Sequence, residues 1–148
     1  MSKASRIVGI DYGMARIGVS LSDERKILAS PIATVQAEKK LELSVKKVLA
    51  EIEKQQAEKN FLVEEIVVGL PLMLNGSIGM LADEVKLFVE QLREVTDIPI
   101  VTWDERLTSV QAERSLMESG MSRKKRSKVI DKVAAVIILQ SYLDSKGI

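Results

Sequence analysis

The stretch Arg6-Ile-Val-Gly-Ile-Asp-Tyr-Gly13 decides the fold. Residues 6–10, Arg-Ile-Val-Gly-Ile, are a short β-rich run, and turn-prone Asp11 to Gly13 follow at once, so a buried strand fits best. Beyond it, extended runs at about 16–22 and 27–35 flank the polar Ser22-Asp-Glu-Arg25, which predicts a three-stranded meander.

The period then changes. From Lys39 to Lys59, Leu41, Val45, Val48, Leu49 and Ile52 fall at helical spacing, with lysine and glutamate on the other face. Residues 65–69, Glu-Ile-Val-Val-Gly, read as a second buried strand, ended by Leu70-Pro71 and a loop through Asn75-Gly76. A second amphipathic helix carries Ile78, Leu81, Val85, Phe88, Val89 and Leu92, with Ser77 available as its cap. Residues 98–103 form a short strand running directly into Asp104-Glu105. A helix over about 109–118, ended by Gly120, precedes a basic tract and a last, largely apolar helix at about 128–145. The predicted order β-β-β-α-β-α-β-α-α is an α/β fold. Its five-stranded mixed sheet joins the meander to two parallel strands, is flanked by helices and has right-handed crossovers.

A chain of 148 residues has the size of a single domain, here 1–148. Its 46% hydrophobic and 29% charged residues are a globular balance, and no apolar run reaches the ~20 residues of a bilayer span. With no signal-like start and no cysteine, a soluble cytoplasmic protein with no membrane partner is expected. The absence of histidine is more restrictive, because it excludes imidazole bases, imidazole metal ligands and every triad built on them. Net charge is +1, but residues 123–132 alone carry +5, leaving the remainder at −4. A neutral average conceals a basic patch on a mildly acidic body.

Three acids stand where such a fold holds the chain rigid: Asp11 after the first strand, Glu105 after the last, and Asp131 in the first turn of the last helix. Ligands of open parallel sheets bind beyond the carboxyl ends of the strands, so strands one, four and five as neighbours would bring Asp11 and Glu105 to one edge. Val133, Ala134, Ile137 and Ile138 would fix the helix, with Asp131 above that edge. Three carboxylates cannot all ionise comfortably together without a cation, and hard oxygen donors suit Mg²⁺ or Mn²⁺, as a pair of ions in phosphodiester hydrolysis. Singly, each acid has an ordinary reading: a turn former, a solvated loop charge, a favourable charge near a helix N-terminus. Their expected convergence gives the metal reading its weight.

The tract Arg123, Lys124, Lys125, Arg126 and Lys128, just before Asp131, is suited to phosphate-backbone contact, although charge runs are usually solvated loops. Arg16 and Arg106 are helpers near a scissile phosphate. Thr108 and Ser109 are expected to cap the next helix, Trp103 to be core, and the Gly69-Leu-Pro71 loop with Asn75-Gly-Ser77 to be ancillary.

Together, Gly-Ile-Asp-Tyr-Gly, Val-Gly-Leu-Pro, Asp-Glu-Arg-Leu-Thr-Ser and Asp-Lys-Val-Ala-Ala-Val-Ile-Ile-Leu-Gln-Ser-Tyr-Leu resemble the YqgF family, also called RuvX, over nearly the whole chain. The resemblance implies a ribonuclease H-like fold, similarity to the RuvC Holliday-junction resolvases, and a nuclease that matures the 5′ end of pre-16S rRNA in bacterial ribosome biogenesis. By that resemblance the family's acids fall on Asp11, Glu105 and Asp131. Two departures are visible. Leu72, Met73 and Leu74 stand between Gly-Leu-Pro and Asn75, and the last helix supplies one acid in its first turn where the resolvases have a further carboxylate.

The leading expectation is a metal-dependent endonuclease on structured RNA of the pre-ribosome. A branched-DNA resolvase is the alternative within enzymes; it needs two sites and hence a dimer, and the sequence leaves monomer or weak homodimer open. A non-catalytic nucleic-acid-binding factor is the second class. Gly-Ile-Asp-Tyr-Gly also resembles the first phosphate loop of actin-like and sugar kinases, but their duplicated domain does not fit in 148 residues.

Overall fold

A computed structural model describes residues 3–71, 79–108 and 123–147, with side chains at 3–71, 79–108 and 133–147. In chain order the elements are β1 (Ser5–Tyr12), β2 (Arg16–Ser22), β3 (Ala29–Gln36), α1 (Leu41–Lys59), β4 (Leu62–Leu70), α2 (Met80–Val95), β5 (Ile100–Asp104), a 3₁₀ turn (Glu105–Leu107) and α3 (Arg123–Lys146). The strands form one sheet in the order β3-β2-β1-β4-β5. β1 is antiparallel to β2, and β2 to β3, while β1, β4 and β5 run parallel. The meander and the parallel neighbours are thus as the periodicity predicts. The helix expected at 109–118 and the loop 72–78, with Asn75, Gly76 and Ser77, lie outside the described residues.

Alternation along the strands divides the core in two. Val8, Ile10 and Tyr12 of β1, Ile17, Val19 and Leu21 of β2, and Ile66 and Val68 of β4 face α1 and α2. Val45, Val48 and Ile52 of α1, and Val85, Phe88, Val89 and Leu92 of α2, meet them from above. These are the stripes the 3.6-residue period singles out. α1 stops at Asn60, which takes the left-handed conformation and donates its N–H to the Gln56 carbonyl. On the other face Ile7 and Val67 pack under Ala134, Ile138, Leu139, Tyr142 and Leu143 of α3.

Between Ile7 and Val67 and the edge that carries Asp11, that second face is dominated by small residues. Gly9, Gly18, Ser20, Ser22 and Gly69 alternate with the large side chains of the first face. A Cβ on Gly9 would lie 2.6 Å from Leu139 Cβ and 2.5 Å from Ser20 Oγ, so α3 rests against the sheet with almost no intervening side chain. Van der Waals contact at this closeness leaves no room for even a methyl group.

Several boundaries depart from expectation. β1 runs through Asp11 to Tyr12, because β2 turns back to pair Asp11 with Gly18 and Tyr12 with Ile17. Asp11 is therefore a strand residue, not a turn former. α3 starts at Arg123, not near 128, so the basic tract is helix rather than interhelical loop, and Asp131 falls in its third turn, not the first. Helix-favouring lysine and arginine continue the helix once packing anchors its other end. α2 begins at Met80 after Gly79, and β5 at Ile100, one residue beyond Pro99.

Candidate active site

Asp11 and Glu105 are almost fully buried, with 1% and 2% of their surfaces exposed. Asp11 shares the parity of Ile7 and Gly9, which places it on the α3 face of β1, one residue beyond the last paired positions, Ile10 and Val68. The next residue of β4 is Gly69, paired with Trp103 of β5. Glu105 follows β5 directly and folds back over that glycine: its Cγ lies 3.3 Å from the position a Gly69 Cβ would take. With strands about 4.8 Å apart, Asp11 and the spot covered by Glu105 are neighbours on one face at one edge of the sheet. The glycine of Val-Gly-Leu-Pro is thus explained by close approach within β4, not by a strand-to-helix turn.

Asp104 and Glu105, adjacent in sequence, have opposite fates. Asp104 is partly exposed and held by Arg106, whose Nη2 lies 2.6 Å from Oδ2 and whose backbone N–H donates to Oδ1 at 2.9 Å. The Arg106 guanidinium keeps the Asp104 carboxyl below its ordinary range. The Thr108 hydroxyl donates to the Glu105 carbonyl at 2.8 Å, closing the 3₁₀ turn on itself. Arg106, expected as a phosphate helper, is committed to this local clasp. Thr108 closes the turn that presents Glu105; Ser109 lies outside the described residues.

Arg16 opens β2 at the same edge as Asp11, and its parity with Gly18 and Ser20 sets it on the same face. Trp103 packs edge-on against Tyr142 with centroids 5.4 Å apart, and its indole N–H reaches Ser141 Oγ at 3.1 Å, a packing role as expected.

The backbone also locates Asp131. Tyr142, near the far end of α3, donates to Glu65, which pairs with Ile7, whereas Ala135 and Leu139 lie over Gly9. α3 therefore runs antiparallel to β1. One turn from Ala135 toward the start of α3 covers about 6 Å, and the step from Gly9 to Asp11 along the strand advances about 6.6 Å. From Ala135 toward its start, α3 thus passes position 131 in the direction in which β1 runs from Gly9 to Asp11. The side chains of Asp131, Arg123, Lys124, Lys125, Arg126 and Lys128 lie outside those described. Among the described residues, no group of three or more His, Cys, Asp or Glu is close enough to hold a metal ion. The two buried donors are hard carboxylate oxygens in a chain without His or Cys, a set that suits Mg²⁺ or Mn²⁺ and not a soft ion.

Sequence reasoning missed Gly9, Ser20 and the reason for Gly69. A signal was present: in Ile17-Gly-Val-Ser-Leu-Ser22, small residues alternate with large ones, as on a sheet face that receives a helix at close range.

The class this geometry defines is one of fold: a five-stranded mixed sheet in the order β3-β2-β1-β4-β5 with helices on both faces, as also found in RuvC. The structure aligns with Thermus thermophilus RuvC in complex with a Holliday junction substrate at a TM-score of 0.55, covering 96% of this chain and 95% of that one at 12% identity. Sequence comparison carries the assignment further. The chain belongs to the RuvX family, described as Holliday junction resolvase, whose model matches residues 5–145. A protein of Protochlamydia amoebophila is 60% identical over 97% of this chain and 96% of its own length. One of Caldanaerobacter subterraneus subsp. tengcongensis is 50% identical over 95% and 97%. Both bear the name "Putative pre-16S rRNA nuclease".

Proposed function

We propose that this protein is a metal-dependent endonuclease that hydrolyses phosphodiester bonds in structured RNA, acting at the 5′ end of pre-16S rRNA during ribosome biogenesis. The observation that carries the reading is the pairing of two buried carboxylates, Asp11 and Glu105, on one face at the C-terminal edge of three parallel strands. The name shared by close relatives supports the RNA substrate.

Asp11, Glu105 and Asp131 would hold Mg²⁺ or Mn²⁺, two ions in the fullest arrangement. When bound, such ions supply an activated water and charge neutralisation at the phosphate. The chain's own part is to keep its donors rigid: Asp11 by its pairing with Gly18 of β2, one residue past the last β1–β4 pair, and Glu105 by the Asp104–Arg106 clasp and its seat over Gly69. Arg16 brings positive charge to the same edge. Arg123, Lys124, Lys125, Arg126 and Lys128 belong to the first turns of α3, and this concentration of positive charge is suited to holding a sugar-phosphate backbone without reading its sequence. No described helix is long and apolar enough to cross a membrane.

The decisive experiment incubates purified protein with precursor rRNA fragments and with a four-way DNA junction, in Mg²⁺ or Mn²⁺, beside Asp11→Asn. Cleavage of the RNA is expected to require the metal and to fall at least about 100-fold in the variant, since even loss of outer-shell partners costs about 10–100-fold. Equal cutting by both proteins would assign the activity to a contaminant. Preferential cutting of the junction would move the substrate to branched DNA, and metal-independent binding without product would leave a binding factor.

A further inference from the structure

The buried hydroxyl of Ser20 is not explained by the sheet. Ser20 is fully buried on β2, opposite Gly9, on the face covered by α3. Its Oγ donates to the Ala135 carbonyl at 2.8 Å; the Gly9 carbonyl, at 3.3 Å, is the poorer acceptor. A strand hydroxyl bonded to a carbonyl within a helix is a specific link between two elements, added to the carbonyl's own helical bond and strengthened by the dry interior.

The position of the link is informative. Other polar ties hold the C-terminal half of α3: Gln140 to the Ile27 carbonyl and the Ala29 N–H, Ser141 to Trp103, and Tyr142 to Glu65. Ser20–Ala135 is the tie nearest the start of α3 among the described residues, one helical turn from Asp131. Apolar contact between a helix and a glycine-lined surface resists separation but is weak against sliding or rotation. A directed hydrogen bond selects one register.

We infer that Ser20 is a positioning residue: its bond to Ala135 sets the register of α3 on the sheet, and with it where position 131, one turn away, stands relative to Asp11 for metal binding. The inference rests on the reading of Asp131 as a metal ligand. It assigns to Ser20 no contact with metal or substrate.

The test compares Ser20→Ala, Gln140→Ala and Asp131→Asn by Mn²⁺ titration calorimetry of the free protein, thermal unfolding, and amide hydrogen exchange. Alanine keeps the close approach at Gly9 and removes only the hydroxyl. In Ser20→Ala, exchange is expected to quicken over residues 131–139 and not over 142–146, with Mn²⁺ affinity about tenfold weaker, the lower range for an outer-shell partner. Gln140→Ala, cutting a tie at the far half, is expected to lower the unfolding temperature while leaving Mn²⁺ affinity intact. Unchanged exchange over 131–139 in Ser20→Ala would overturn the inference. So would unchanged Mn²⁺ affinity in Ser20→Ala when Asp131→Asn weakens binding. Should Asp131→Asn itself bind Mn²⁺ normally, the ligand role fails, and the exchange data still decide whether Ser20 sets the register.

Discussion

At the residue scale, identity and neighbours together decide what a carboxylate does. Asp104 and Glu105 differ by one methylene and one position, yet one is clasped by Arg106 near solvent and the other is buried over Gly69. Asp23 shows a third use: its Oδ1 accepts the N–H groups of Ile27 and Leu28 at 2.8 and 3.1 Å, closing the β2–β3 hairpin. The Ile27 bond, then the Leu28 bond, holds its carboxyl below the ordinary value. A folded-state pKa that is lowered contributes stability present above the unfolded value and lost as pH falls through the folded one. The unfolding temperature should therefore fall more steeply below about pH 4 in the parent than in Asp23→Asn, as differential scanning calorimetry across pH would read.

Between elements, the decisive contact is α3 on the small-residue face. A Gly9→Ala methyl would meet Leu139 Cβ at 2.6 Å, an atom fixed to the helix backbone, so α3 must shift. At Gly69 the nearest atom is Ile138 Cδ1, the mobile tip of a side chain that can turn aside. Overpacking of this kind costs about 1–3 kcal/mol, and Gly9→Ala should lie at the upper end and Gly69→Ala at the lower. Urea unfolding of the two variants checks the order. Gly69→Ala should nevertheless impair cleavage beyond its effect on stability, because its methyl also presses on Glu105 Cγ at 3.3 Å.

For the molecule as a whole, charge is segregated: +5 over residues 123–132 and −4 over the rest. The tract lies in the same helix, α3, as the segment that packs on the sheet. Replacing Arg123, Lys124, Lys125, Arg126 and Lys128 by glutamine should weaken RNA binding and flatten its salt dependence, by about one unit of log–log slope for each phosphate the protein no longer neutralises. Filter binding between low and moderate salt measures it. How far the sequence alone reached follows from the range of each signal. Side-chain period is local, so the strands, the helices of residues 41–59 and 80–95, and the order of the α/β fold were legible in it. So was the expectation that the strands ending near Asp11 and Glu105 deliver them to one edge, because β1, β4 and β5 are parallel neighbours. Element ends were not legible: pairing with β2 kept Asp11 within a strand, and packing against a sheet let a lysine-rich run continue as helix. Nor could sequence give Gly9, Ser20 and Gly69 their purpose. Those outcomes depend on which surfaces touch across nearly the length of the chain, and contacts of that range exist only once the tertiary structure has formed.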